Sequence, residues 1–125
     1  MNVKGIIWLG TRTPHFDAML HLYRNVMGMQ LSYQEPGFAV LDLPNGDKVE
    51  LFGNESSYNL EFTHPVAGFL VDDIESARAE LEAAGVEFLG PIERTGDGYA
   101  WSHFRAPDGF LYEITYSPER PATKQ

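Results

Sequence analysis

Apolar positions along the chain switch between strand-like runs and helical spacing, and the switch happens twice. Residues 3–11 form an apolar run of strand length. Thr13 then stands as a helix N-cap with Pro14 at the first helical position, and Phe16, Met19, Leu20, Tyr23, Val26 and Met27 recur on one helical face. Gly28 sits where a left-handed C-cap would end that helix. Three strands are predicted next, Gln30 to Tyr33, Phe38 to Leu43 and Lys48 to Phe52, separated by turns at Glu35-Pro36-Gly37 and Pro44-Asn45-Gly46. The polar, turn-rich residues 53–63 read as a linker. The order then starts again. His64 to Val71 is strand-like, and Asp73 caps a helix with Ile74, Ala77, Leu81 and Ala84 on its apolar face and Glu75 paired with Arg78 on its solvent side; Gly85 ends it. Strands follow at Val86 to Leu89, Tyr99 to Ala106 and Phe110 to Tyr116, with Gly90-Pro91 and residues 95–98 as connections. Residues 117–125 read as a loose tail.

The two hairpins repeat each other. Leu41 to Phe52 returns 63 positions later as Phe104 to Thr115, so that Pro44 meets Pro107, Gly46 meets Gly109 and Glu50 meets Glu113. Pro at the second position of a type I turn and a left-handed Gly after it make a three-residue hairpin loop with a one-residue bulge. Counting outward from that loop sets His103 opposite Glu113, and in the first copy Val40 opposite Glu50. A duplicated unit explains the whole pattern. The predicted fold is α+β, one domain over residues 1–125 built of two tandem βαβββ units, 1–52 and 64–116, with both helices on the convex side and the two sheets forming a cleft.

Composition narrows the partners. The 125 residues are 43% hydrophobic, enough for a core without staples, and there is no cysteine, which excludes disulfides and thiolate metal sites. A net charge of −9 and pI near 4.7 repel nucleic acid and anionic membrane, leaving a small molecule or another protein as the expected partner. With no basic apolar leader and no run near 18 apolar residues, a cytoplasmic protein is expected.

Glu50 and Glu113 interrupt apolar strands at equivalent positions, where a carboxylate is costly unless it is paired, bonded or metal-bound. The segments Leu22 to Gly28, Phe69 to Ile74 and Pro107 to Ile114, together with the two-unit pattern over residues 3–116, resemble the vicinal oxygen chelate superfamily, the glyoxalase, bleomycin-resistance and extradiol-dioxygenase group. The resemblance implies metal ligands on the first and last strand of each half. Those positions read Trp8, Glu50, Val66 and Glu113 here, and neither indole nor isopropyl binds a divalent cation. His64, two residues before Val66, offers a shifted third ligand beside Glu50 and Glu113. The expectation is no tightly held metal and no cofactor, with a divalent ion at those three residues as the alternative. The resemblance also implies a homodimer.

Of the other histidines, His15 and His21 are expected in solvent, whereas His103 alternates with Trp101 and Arg105 on one strand face. The family geometry would place Trp8, Glu50, Phe52 and Glu113 on one concave face. Phe38 and Trp101 hold duplicated positions opposite Phe52 and Thr115, and Arg12 is a candidate anion contact at the mouth. Such a lining favours a planar or hydrophobic ligand, against the plainer reading that the rings are ordinary core. Three functions stand open. They are a metal-free binding protein of the bleomycin-resistance kind, a glyoxalase-type lyase or isomerase using Glu50 and Glu113 with a metal, and a metal-free enzyme in which Glu113, assisted by His103, is the general base.

Overall fold

The computed structural model describes residues 1–56, 58 and 62–120. Among the described residues the chain forms eight strands and two α-helices in the order β1 (Gly5–Arg12), α1 (Phe16–His21), β2 (Gln30–Glu35), β3 (Phe38–Asp42), β4 (Lys48–Phe52), β5 (Val66–Leu70), α2 (Ile74–Ala83), β6 (Glu87–Arg94), β7 (Ala100–Arg105) and β8 (Leu111–Tyr116). This is the predicted βαβββ order, twice. The chain divides into two compact units, one of Ile7–Ala67 and one that joins Met1–Ile6 to the chain from Gly68 on.

In the first unit the strands lie in the order β2-β3-β4-β1, with β1 parallel to β4 and the other pairs antiparallel. Leu41, Val49 and Leu51 are buried on one side of this sheet, and Phe16, Met19, Leu20 and Tyr23 of the helical segment pack against them. The helix starts later than expected. Thr13 does not cap it; its Oγ1 instead accepts the His15 N–H at 3.0 Å, and α1 begins at Phe16. Its last turn, Leu22–Val26, is π-helical, with the Met27 N–H donating to the Leu22 carbonyl. Widening the turn to an i→i+5 bond rotates the following side chains off the core face, so Val26 and Met27, expected inside, are 67% and 57% exposed.

In the second unit the order is β5-β8-β7-β6, again with one parallel pair, β5 and β8. Val71, Ile74, Ala77, Ala100 and Ile114 are buried together, flanked by Leu81, Phe88, Ile92, Phe104 and Tyr116. Asp73 caps α2 as predicted, its Oδ1 accepting the Ser76 N–H at 3.1 Å. The Met1–Ile6 arm is tied to this unit by the Lys4 N–H to the Leu70 carbonyl, by Lys4 Nζ to Asp72 at 2.6 Å and by the Met1 ammonium to Glu80 at 2.8 Å.

Both hairpin turns have the expected geometry. The Leu43 N–H donates to the Asp47 carbonyl and the Ala106 N–H to the Phe110 carbonyl, each at 2.9 Å, with Gly46 and Gly109 at φ of 90° and 86°. A side chain at either glycine would face the left-handed penalty.

Several expectations are corrected. Gly90-Pro91 is no connection but lies inside β6, where the register against β7 slips between Leu89 and Glu93. Arg78 does not pair with Glu75. Its guanidinium donates to the Gly90 carbonyl at 2.8 Å and to the Ser102 hydroxyl at 3.1 Å, rests on the Phe88 ring and lies 3.4 Å from Glu82, while Glu75 meets Arg94 at 2.8 Å. Strand β5 starts at Val66 rather than at His64. Of the expected tail, residues 117–120 are docked: Ser117 is buried, its hydroxyl accepts the Glu119 N–H at 3.3 Å, and Tyr99 bonds Glu119, which pushes the phenol up to about 12. The rest of that tail, 121–125, lies outside the described residues, as do 57 and 59–61 of the expected linker.

Candidate functional site

The first unit presents Trp8, Gly10 and Arg12 of β1 on the sheet face opposite the helix, in register with Lys48, Glu50 and Phe52 of β4. Val40 faces Glu50 and Phe38 faces Phe52 on β3, as the turn count predicts. Trp8, Arg12, Phe38, Glu50 and Phe52 therefore share one face of this unit. Trp8 is folded back along its own strand: a Cβ at Gly10 would lie 2.8 Å from Cζ3 of the indole and closer still to neighbouring ring carbons. Since Gly10 is the register partner of Glu50, the ring that covers Gly10 reaches the carboxylate, and its N–H bonds to it. Burial pushes the Glu50 carboxyl above its usual range; the Trp8 hydrogen bond and the Lys48 charge pull the other way without cancelling it. Lys48 is itself tied to Asp42 at 2.9 Å.

The aromatics of this face pack on one another. Phe38 and Phe52 lie 5.1 Å apart between centroids, Tyr58 is 4.9 Å from Phe38, and Phe62 is 6.0 Å from Phe52 and 6.2 Å, edge on, from Trp8. Phe38 and Phe52, expected to line a pocket, are 7% and 4% exposed, packed against Tyr58 and Phe62. The reason is the chain after β4. Gly53 donates to the Gly37 carbonyl at 2.7 Å, and the segment then sets Tyr58 and Phe62 on the two phenylalanines. The polar, turn-rich composition of residues 53–63 reads as a linker, and Tyr58 and Phe62, two large aromatics in that run, are the sequence signal for this packing. Arg12 is exposed at the end of β1.

The second unit presents Trp101, His103 and Arg105 of β7 beside Thr115, Glu113 and Leu111 of β8, with Gly68 next to Glu113 on β5. Glu113 is 4% exposed. His103 is its direct partner, Nε2 lying 3.9 Å from Glu113 Oε2, beyond hydrogen-bond length. Burial pushes the His103 imidazole down to about 4, so it is neutral at physiological pH. Trp101 is half-buried opposite Thr115. A neutral imidazole beside a buried carboxylate is chemically a pair that can pass a proton to or from a bound molecule.

The metal alternative names Glu50, His64 and Glu113. His64, its histidine, is exposed on the bend before β5, with Nδ1 2.9 Å from Thr63 Oγ1, because the strand that would have aimed it starts two residues later. At the first-strand position the indole turns a hydrogen-bond donor toward Glu50, where a cation would need a lone pair. Among the described residues, no three His, Asp or Glu side chains are grouped as a metal site. Nor is any helix among them long and apolar enough to cross a membrane.

Residues 5–114 match the model of the Glyoxalase/Bleomycin resistance protein/Dioxygenase superfamily. No curated protein matches the chain significantly in sequence. Solved structures share its fold. A Mn(II)-bound glyoxalase from Novosphingobium aromaticivorans superposes with a TM-score of 0.75 at 22% identity, over 98% of this chain and 42% of that one. Methylmalonyl-CoA epimerase from Mycobacterium tuberculosis gives 0.67 at 22% identity, over 97% and 90%. A hypothetical protein from Bacillus halodurans C-125 gives 0.70 at 18% identity, over 95% and 98%. At these identities the structures speak for fold, and the sequence model, which spans most of the chain, speaks for descent: the chain belongs to the Glyoxalase/Bleomycin resistance protein/Dioxygenase superfamily.

Proposed function

We propose that this chain is a small-molecule-binding member of its superfamily that takes a planar or hydrophobic compound without the full metal site implied by the family. The observation that carries this reading is Trp8, which bonds Glu50 through its indole N–H at a position where a metal-dependent relative needs a ligand. A half-buried indole beside an edge-on Phe62 also offers a flat apolar ligand a surface to stack on. The working form is a cytoplasmic homodimer, a state that light scattering tests directly, since about 14 kDa in solution would refute it. A thermal-shift screen of planar aromatics, α-oxoaldehydes and thiol adducts, each with Mn(II), Zn(II), Ni(II) or chelator, tests the binding. Planar compounds should raise the melting temperature equally in all arms. Stabilisation that needs a metal would return the glyoxalase-type lyase or isomerase using Glu50 and Glu113.

The His103–Glu113 pair supports a second reading, a metal-free enzyme in which Glu113 is the general base on an enolisable substrate. A methylmalonyl-CoA epimerase shares the fold. Solvent deuterium entering an acyl thioester substrate at the carbon next to the carbonyl, and ceasing with Glu113→Gln, would establish it.

A further inference from the structure

The first-unit face contains a residue pairing that the family pattern does not assign. Gly10 and Glu50 are neighbours in the β1–β4 register, and the Trp8 ring lies over Gly10 because that position has no side chain. Any other residue at position 10 would force the indole away from the carboxylate. We propose that Trp8 is the specificity-determining residue of this face: by laying its N–H against Glu50 across Gly10, it converts the carboxylate from a cation ligand into a fixed hydrogen-bond acceptor, and so selects a planar ligand that carries its own N–H or O–H donor.

The argument for a donor ligand is one of satisfaction. An ionised carboxylate offers about four lone-pair sites, and the indole can fill only one of them. A ligand that covers the face removes water from the rest, and each unmatched acceptor then costs free energy unless the ligand supplies a donor. Lys48, already tied to Asp42, adds positive charge beside Glu50, which disfavours a cationic ligand relative to a neutral donor. This deepens the binding reading above and rests on it for the ligand, whereas the Trp8–Glu50 bond stands or falls by itself.

The test is nuclear magnetic resonance of the two indole N–H groups in the full chain at one fixed pH, with the Trp8 signal identified by its loss in Trp8→Phe. In Glu50→Leu the Trp8 resonance should move upfield while that of Trp101 stays; an unmoved Trp8 signal overturns the bond, and Glu50→Gln, which keeps an acceptor, guards against a folding artefact by moving it less. Stoichiometric Mn(II) should leave the Trp8 signal sharp, and selective broadening of it overturns the exclusion of metal. Adding 2-quinolone, a flat lactam with one N–H, should shift the Trp8 signal at least tenfold more tightly than N-methyl-2-quinolone does. Equal response to both, or none to either, overturns the donor selection, and does so without touching the first two arms. If planar compounds without donors bind well in the thermal screen, the binding reading survives while this inference fails.

Discussion

His103 and Glu113 face each other across β7 and β8 with Nε2 and Oε2 3.9 Å apart, a neutral ring beside a buried carboxylate. The unfolded chain protonates His103 below its ordinary value near 6.5, the folded chain only below about 4. Between those values the unfolded state binds the extra proton, so this residue makes stability fall as pH falls, by up to about 3 kcal/mol across the window. His103→Gln should flatten that acid slope in urea unfolding between pH 4 and pH 7, and an unchanged slope would sink the assignment.

Glu50 contributes with the opposite sign. Burial raises its proton affinity in the folded state, so its contribution to stability is full at acid pH and is lost as pH rises through the folded value. Glu50→Gln should therefore unfold at higher denaturant than the parent at neutral pH, with the two curves converging near pH 4. A variant that is weaker at neutral pH would show that the Trp8 and Lys48 contacts outweigh burial.

Gly10→Ala places a methyl group inside the Trp8 ring and should cost about 1–3 kcal/mol, the usual range for overpacking. Because the clash needs the ring, the same change in a Trp8→Ala background should cost much less. A double-mutant cycle measures the difference, and additive costs would place the indole elsewhere.

Gly37 has φ of 75°, and a Cβ there would lie 2.7 Å from the Glu55 carbonyl carbon. Left-handed strain and backbone overlap combine, so Gly37→Ala should lose roughly 2 kcal/mol or more. Weaker packing of Tyr58 on Phe38, visible in the near-ultraviolet circular dichroism, should accompany the loss, since this turn anchors the chain that carries Tyr58.

Arg78→Met keeps a stem against Phe88 but removes the donors to Gly90 and to Ser102, which is 1% exposed. Leaving those acceptors unmatched should cost about 1–3 kcal/mol. Glu82→Ala, which loses only a half-exposed partner at 3.4 Å, should stay within about 0.5 kcal/mol in thermal or urea unfolding.

Local chemistry made much of this readable beforehand. The proline and glycine of each hairpin define the loop length, the loop length defines register, and register alone puts Glu113 opposite His103 and Glu50 opposite Val40. What stayed hidden depends on distant residues. The π turn at Leu22–Val26 leaves no mark in an apolar pattern that is helical either way. Phe38 and Phe52 read as lining because nothing near them in sequence announces that Tyr58 and Phe62 return to cover them. Gly90-Pro91 has the composition of a connection, yet pairing with β7 on both sides of it and the Arg78 donation to the Gly90 carbonyl, all from other elements, hold it within a strand. Trp8 was legible as a missing ligand, but its bond to Glu50 was not, because it requires the ring to lie over Gly10.

The slipped register of β6 has a consequence for edge-to-edge aggregation. β6 closes one unit's strand order and β2 the other, and both outer strands are interrupted, β6 by Gly90-Pro91 and β2 by the irregularity between Leu31 and Tyr33. Pro91 brings no amide hydrogen, and an interrupted ladder cannot offer an incoming chain an even row of donors and acceptors. Both outer strands are thus poor templates for strand-by-strand growth into fibres.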